Sequence, residues 1–423
     1  MQVKVGEPCA ACGEAVVRPD AAAPWCPACE WNLGAYAGQA PLGWRWVDRL
    51  SHRLAFRRDR ELFEQSSAQR PGRPGWTFAR VVLLAVSALF VLVSVGCVGI
   101  GAWLVLHDLA SWWPVVGIAL IVVGILLRPR LGRRPSRHLR MSRAEAPALY
   151  GLLDRVATAA GTKAPDLIAM TPEFNAGVGR VGLRQRPVLV LGVPLWIVLE
   201  PRQRVALLAH EIAHQVNGDP MRGLLVRPAL TTFARLAGVA DAGSIGQVMS
   251  PDRPDAGLVQ FLLGFSRWLA SRVFLAVHLA LSALGMRDHQ RAEYLADGIA
   301  TDLAGTDATV ALLDCLAVLP AINVQLAYAC ERKPPAEWRA AAETYQAGQR
   351  RNLKLLRHLS MRDTSLWASH PPVGLRARAV EAWPARPAGI TFTDAESARI
   401  DAELAGWYRA THRLMLGTRE FHR

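Results

Sequence analysis

Leu208-Ala209-His210-Glu211-Ile212-Ala213-His214-Gln215-Val216-Asn217 is the stretch that decides how this 423-residue chain is read. Pro201 suits the first turn of a helix, where a missing N–H is harmless, and the pattern predicts a helix from Pro201 to about Val216. Residues four apart share a helical face, so His210 and His214 can hold one metal ion together. Glu211, beside them, can reach a water on that metal. Two imidazoles and a carboxylate at this spacing are the arrangement of zinc-dependent peptide hydrolysis, with the Glu as general base. The neighbours Val205, Leu207, Leu208, Ile212 and Val216 are apolar. A polar trio on such a helix is penalised unless a metal or hydrogen bonds satisfy it.

A catalytic zinc needs a third protein ligand and an open fourth position. The metzincin pattern would place Gly at 217 and His at 220, but the chain has Asn217 and Pro220, which excludes it. The other common choice is a Glu on a later helix. Arg291-Ala-Glu-Tyr-Leu-Ala-Asp297 offers Glu293, with Asp297 one turn on. Glu293 can bind the metal while Asp297 accepts a hydrogen bond from a ligating His and fixes its tautomer.

Further motifs follow in a set order: Phe174-Asn175-Ala176, then HEIAH with Asn217 and Asp219, then Glu293 with Asp297, then His370-Pro371-Pro372 with Arg376. Over residues 80–385 this resembles the HtpX-like membrane metallopeptidases, relatives of the CAAX prenyl proteases. The resemblance implies a gluzincin fold, proteolysis on the cytosolic side and Glu293 as third ligand. It implies that Asn175 and Ala176 lie at an edge strand lining the substrate cleft. It makes His370 and Arg376 candidates for the active-site rim, where either can donate a hydrogen bond to developing negative charge. The chain departs from the family pattern at Gly177-Val178-Gly179, where an aromatic and a small hydroxyl residue are usual. It departs again between His214 and Glu293, where two further membrane helices are expected. Arg222, Arg227 and Arg235 interrupt the first, and Arg267 and Arg272 the second. A central Arg opposes insertion by about 2.5–3.5 kcal/mol. Residues 222–240 and 261–286 are therefore expected as amphipathic helices on the membrane surface or against the catalytic domain, with a third or fourth span as the alternative, because an Arg near a helix end can snorkel.

Upstream, Cys9-x-x-Cys12 and Cys26-x-x-Cys29 can supply four thiolates to a structural zinc, making residues 1–40 a zinc ribbon. The other cysteines are scattered and do not read as a disulfide framework, and no signal-peptide pattern opens the sequence. Residues 41–80 form a basic connector with Arg45, Arg49, Arg53, Arg57 and Arg60 at helical spacing. It suits either an amphipathic helix on an anionic membrane surface or a solvated linker helix. Asp48, Asp59, Glu61 and Glu64 dilute the first reading.

Val81 to Leu106 and Leu109 to Leu127 are uncharged, long enough for two spans. Arg70, Arg73 and Arg80 precede the first, and seven Arg between Arg128 and Arg143 follow the second. The connection between them holds no Lys or Arg, so the positive-inside rule puts both outer flanks in the cytoplasm. The formal net charge of +14 thus sits largely beside apolar runs, and no nucleic-acid partner is expected.

The expected fold is mainly α with a small β-sheet (α+β), a zincin-like domain joined to a transmembrane hairpin and a ribbon. The expected division is 1–40 ribbon, 41–80 connector, 81–127 hairpin, 128–385 peptidase domain and 386–423 helical extension. Within it, a helix is expected over Glu145–Ala160, strands over Pro165–Met170 and Val188–Leu191, helices over 305–360 and a last helix from about Thr393. The expected function is a multi-pass, inner-membrane zinc endopeptidase with one catalytic and one structural zinc. Its substrates would be membrane-associated or misfolded proteins at the cytoplasmic face. The competing reading is a membrane-anchored, non-catalytic adaptor whose ribbon and basic segment bind nucleic acid or an acidic partner.

Overall fold

The computed structural model describes residues 7–13, 23–36, 44–72, 75–107, 109, 111–128, 135–136, 139–182, 184–218, 232–238, 258–329 and 333–420. They form two compact units. The first comprises Met1–Pro74, Arg133–Pro220 and His289–Arg423, and the second Gly75–Gly132 and Met221–Asp288.

In the second unit, α2 (Phe78–His107) and α3 (Trp113–Leu127) form the expected hairpin. Small residues let the two backbones touch. A Cβ at Gly101 would lie 2.6 Å from the Gly117 carbonyl oxygen, and one at Gly117 2.5 Å from that of Gly101. Ser94 Oγ donates to the Gly124 carbonyl at 2.7 Å. Without water to drive association, close packing of this kind holds membrane helices together. The outward side chains, such as Leu89, Leu92 and Val95, are exposed and apolar. That pattern is the reverse of a surface helix in water and suits lipid. Gly117→Leu is expected to force α2 and α3 apart at a penalty of about 1–3 kcal/mol or more. A lowered thermal midpoint of the full chain in detergent checks this; an unchanged midpoint would show that the contact is dispensable.

Of the second expected pair, the helix over 261–286 is present within a longer one. A single uninterrupted helix, α7, runs from Leu258 to Ala304 over 47 residues. Among the described residues three helices are long and apolar enough to cross a membrane: Phe78–His107, Leu262–Ala304 and Thr306–Val324. Arg267 and Arg272 lie within α7, since Arg is a good helix former and does not break it. Of 222–240 only 232–238 are described, and they are helical; the rest lies outside the described residues.

The first unit holds a four-stranded sheet in the order β1-β2-β4-β3. The strands are β1 (Arg140–Met141), β2 (Leu167–Thr171), β3 (Ala176–Val181) and β4 (Arg186–Gly192). β2 and β4 run parallel, while β1 and β3 pair antiparallel on the outside. The two expected strands are the central pair, because their Ile168, Leu189 and Leu191 are buried apolar residues. Helix α4 (Pro147–Ala159) buries Leu149, Leu152, Leu153 and Val156, the 3.6-residue repeat read from sequence.

Helix α6 (Pro201–Asn217) starts at Pro201 with a Glu200–Gln203 capping box and stops at Gly218, whose φ of 76° terminates it. It is buried on nearly every face. After α5 (Val193–Val198) and α6 the unit adds α8 (Thr306–Ala329), α9 (Trp338–Gln349), α10 (Leu353–Ser360), α11 (Val373–Ala382) and α12 (Asp394–Glu420). The last begins where Thr393 caps it, with Glu396 N donating to Thr393 Oγ1 at 3.2 Å.

The connector is helix α1 (Arg45–Ala68), and neither setting expected for it describes its inner face. Asp48, Ala55, Asp59, Leu62 and Ser66 are buried, and Leu62 packs with Tyr294, Val380 and Trp383. Arg58 donates to the carbonyls of Ser365 and Leu366 at 2.9 and 3.1 Å. Two of the acids that diluted the basic pattern thus point into protein. Burial pushes Asp59 up to about 7, against the pull of Arg58.

Candidate metal centre and catalytic site

Helix α6 supplies His210, Glu211 and His214, and the part of α7 from His289 onward supplies Glu293 and Asp297. His210 Nε2 lies 3.4 Å from Glu293 Oε2, and His214 Nε2 lies 3.4 Å from Glu293 Oε1. Zinc bonds of about 2.0–2.2 Å to N and O, in a tetrahedron, separate ligand atoms by roughly 3.3–3.6 Å. The three donors therefore stand at the spacing a zinc ion requires.

Charge points the same way. Glu293 and Asp297 are fully buried, and Glu211 is 8% exposed. Among the described residues, the one buried guanidinium beside this group is that of Arg376. Without a metal the three carboxylates are balanced by the Arg376 guanidinium and a protonated His210, and the negative charge left over is what a divalent cation replacing that proton neutralises. Neither Glu293 oxygen accepts a well-formed hydrogen bond, although His370 Nδ1 approaches Oε2 to 2.7 Å and Arg376 Nη1 to 3.3 Å. The site fits a divalent zinc held by His210, His214 and Glu293.

The supporting residues surround this centre. His210 Nδ1 is 3.0 Å from Asp297 Oδ1, the contact expected to fix the imidazole tautomer. Arg376 forks onto Asp297 at 2.8 and 2.6 Å. Burial works against the His210 imidazolium, but Asp297 and Glu293 outweigh it and hold its pKa up at about 10. Burial also opposes the Arg376 charge, yet Asp297 and Glu293 raise its pKa further. His370 is 56% exposed in its side chain, so it stands at the mouth of the site while touching Glu293.

Asn175 and Ala176 lie at the start of β3, which is the outer strand of the sheet, and β3 packs against α6. Gly192 N donates to the Asn175 carbonyl at 2.8 Å, and no Cβ would fit at Gly192. His289, outside every motif described above, also reaches the site, with Nδ1 4.0 Å from Glu293 Oε1 and its ring 6.3 Å from that of His370. Its position one helical turn before Glu293 was the available signal.

The ribbon cysteines also converge. Cys9 and Cys29 sulfurs are 3.6 Å apart and those of Cys12 and Cys26 3.9 Å. Zinc–sulfur bonds of about 2.3 Å place tetrahedral thiolates roughly 3.8 Å apart. Burial tends to raise the Cys9 thiol, but backbone N–H groups of Cys12 and Ala11 bring it down to about 6. Its neighbour Cys29 is pushed the other way, up to about 12, because backbone N–H donation is outweighed by burial and by Cys9, Cys12 and Cys26, so without a metal the thiols share protons.

A sequence model described as peptidase family M48 matches residues 143–384. Protease HtpX of Xanthomonas oryzae pv. oryzae (strain PXO99A) is 24% identical over 209 residues, 48% of this chain and 69% of that protein. A protease HtpX homolog of Desulfotalea psychrophila (strain LSv54 / DSM 12343) is 28% identical over 232 residues, 54% of this chain and 73% of that protein. Protease HtpX of Pseudomonas putida (strain GB-1) is 25% identical over 179 residues, 42% of this chain and 58% of that protein. No solved structure matches the chain. The family match begins at Arg143, after the hairpin, so it covers less than the motifs implied.

Proposed function

The chain belongs to peptidase family M48, and from that premise we propose that it is a zinc endopeptidase whose metal is held by His210, His214 and Glu293. It is a membrane metallopeptidase acting on protein or peptide substrates. The finer reading is that it cuts membrane-associated or misfolded proteins at the cytoplasmic face, which the Arg-rich flanks of the hairpin support. The observation that carries the site assignment is the pair of 3.4 Å contacts from Glu293 to His210 and His214.

Zinc bound there would polarise a scissile carbonyl and acidify a water near neutral pH. The chain's own residues do the rest. Glu211 takes the proton of the attacking water and returns it to the leaving amine. Asp297 accepts from His210 Nδ1, which leaves Nε2 for the metal. Arg376 holds Asp297 in place through both carboxylate oxygens, one of which also faces His210. His370, at the mouth of the site, donates a hydrogen bond to the negative charge that develops on the carbonyl oxygen. Asn175 and Ala176 begin the outer strand along which an extended peptide can lie. The ribbon cysteines hold a second, structural zinc.

The purified full chain in detergent is expected to carry two zinc ions and to cleave an unfolded protein substrate. Chelation should abolish cleavage, and added zinc should restore it. Cleavage that survives loss of the metal would overturn the proposal.

A further inference from the structure

The four-cysteine cluster is built into the peptidase unit by contacts that lead to the catalytic residues. Trp25, beside Cys26, is fully buried and packs with Leu33, Met361 and Leu375. Its ring stacks on His358 at 5.8 Å and 18°. Arg362 donates to the carbonyls of Ala23 and Ala35 at 3.2 Å each, gripping both ends of the second Cys pair's loop. Glu30, next to Cys29, places its carboxylate between Arg60 of α1 and Arg378 of α11.

Glu30 reaches this position with a φ of 59°, a left-handed conformation that a non-glycine residue keeps only where its surroundings over-determine it. The turn that closes around Cys26 and Cys29 supplies that constraint. On the other side, Leu375 and Arg378 flank Arg376, the residue that forks onto Asp297. His370 lies on the same segment, between the buried Met361 and Leu375. A mobile ribbon would release Trp25 and Glu30 together. Arg378 and Arg60 would then lose their shared carboxylate, and the segment carrying His370 and Arg376 would lose its backing.

We infer that Cys9, Cys12, Cys26 and Cys29 form a zinc site whose function is to position Arg376 and His370, through Glu30–Arg378 and Trp25–Leu375. Glu30 is accordingly a positioning residue for the reaction, although it touches neither metal nor substrate. The inference rests on the peptidase reading of the site. Misplacement of a group by about 1 Å from a distant change can lower a rate about 10²-fold. The expected effect of emptying the ribbon is therefore on the order of 10–100-fold in kcat.

The test uses the full chain in detergent and compares wild type, Cys26→Ser/Cys29→Ser, Glu30→Gln and Arg378→Lys. Three quantities are measured: zinc per chain, kcat and KM on a peptide substrate, and hydrogen exchange over residues 372–383. The double Cys variant should drop from two zincs to one, lose kcat with little change in KM, and exchange faster over 372–383. Glu30→Gln should keep both zincs yet lose part of kcat and show faster exchange, while Arg378→Lys should retain most of both. A variant that loses the ribbon zinc but keeps wild-type kcat and exchange would overturn the inference. So would Glu30→Gln with unchanged kcat and exchange, and this variant decides the matter if the double Cys variant does not fold. If wild type itself cleaves nothing, the peptidase reading fails, while the exchange comparison still judges the coupling.

Discussion

Glu211→Gln is expected to keep both zinc ions and to lower peptide cleavage by roughly 10²–10⁴-fold, the usual contribution of a general base. The substitution is nearly isosteric, so the 17-residue helix that carries it keeps its packing. Glu211 is not among the three clustered donors, His210, His214 and Glu293. What Gln cannot do is accept a proton from the attacking water. Two measurements on the full chain check this: kcat/KM on a peptide, and zinc content. Cleavage within threefold of wild type would remove Glu211 from the mechanism. Loss of zinc along with activity would instead make Glu211 part of the metal site.

Arg376→Met should produce the largest loss of stability of any single change near the site. Arg376 is 3% exposed and forks onto the buried Asp297, with Glu293 3.3 Å away. Removing one partner of a buried ion pair strands the other charge, at about 3–5 kcal/mol. In a unit of this size that lowers a thermal midpoint by on the order of 10 °C. Arg376→Lys should recover little, because an ammonium cannot reproduce the two-pronged contact. Asp297→Asn combined with Arg376→Met should recover part of the loss, since the stranded charge is then gone. A fall of less than about 2 °C for Arg376→Met would show that Asp297 is balanced by another group.

The two predictions separate two kinds of residue. HEIAH and the Glu293–Asp297 pair were legible because a helix turns spacing into geometry: residues four apart must share a face. The apolar hairpin was legible for a similar reason, since an uncharged run of that length has few stable settings. The central strands were legible from their buried apolar residues. Strand β3 was expected only through the family resemblance, because Gly177 and Gly179 give it little strand character of its own, and its pairing with β4 decides it.

Other features depended on chain segments far apart in sequence. His370 and Arg376 could be placed near the site only by family resemblance, as nothing local directs their side chains. Their contacts with Glu293 and Asp297 arise where α11 meets the end of α7. The connector misled for an opposite reason. Its Arg pattern was plain, but composition does not reveal that Asp48 and Asp59 turn inward, because buried acids are uncommon. The spacing of the four ribbon cysteines anticipates their convergence, but not the contacts that join the ribbon to the peptidase unit. Sequence alone determined which residues can bind metal, since ligand chemistry and helical periodicity are local properties. Tertiary structure alone decided what braces them, since the contacts of Trp25, Glu30 and Arg376 are long-range packing and ion pairs that no spacing encodes.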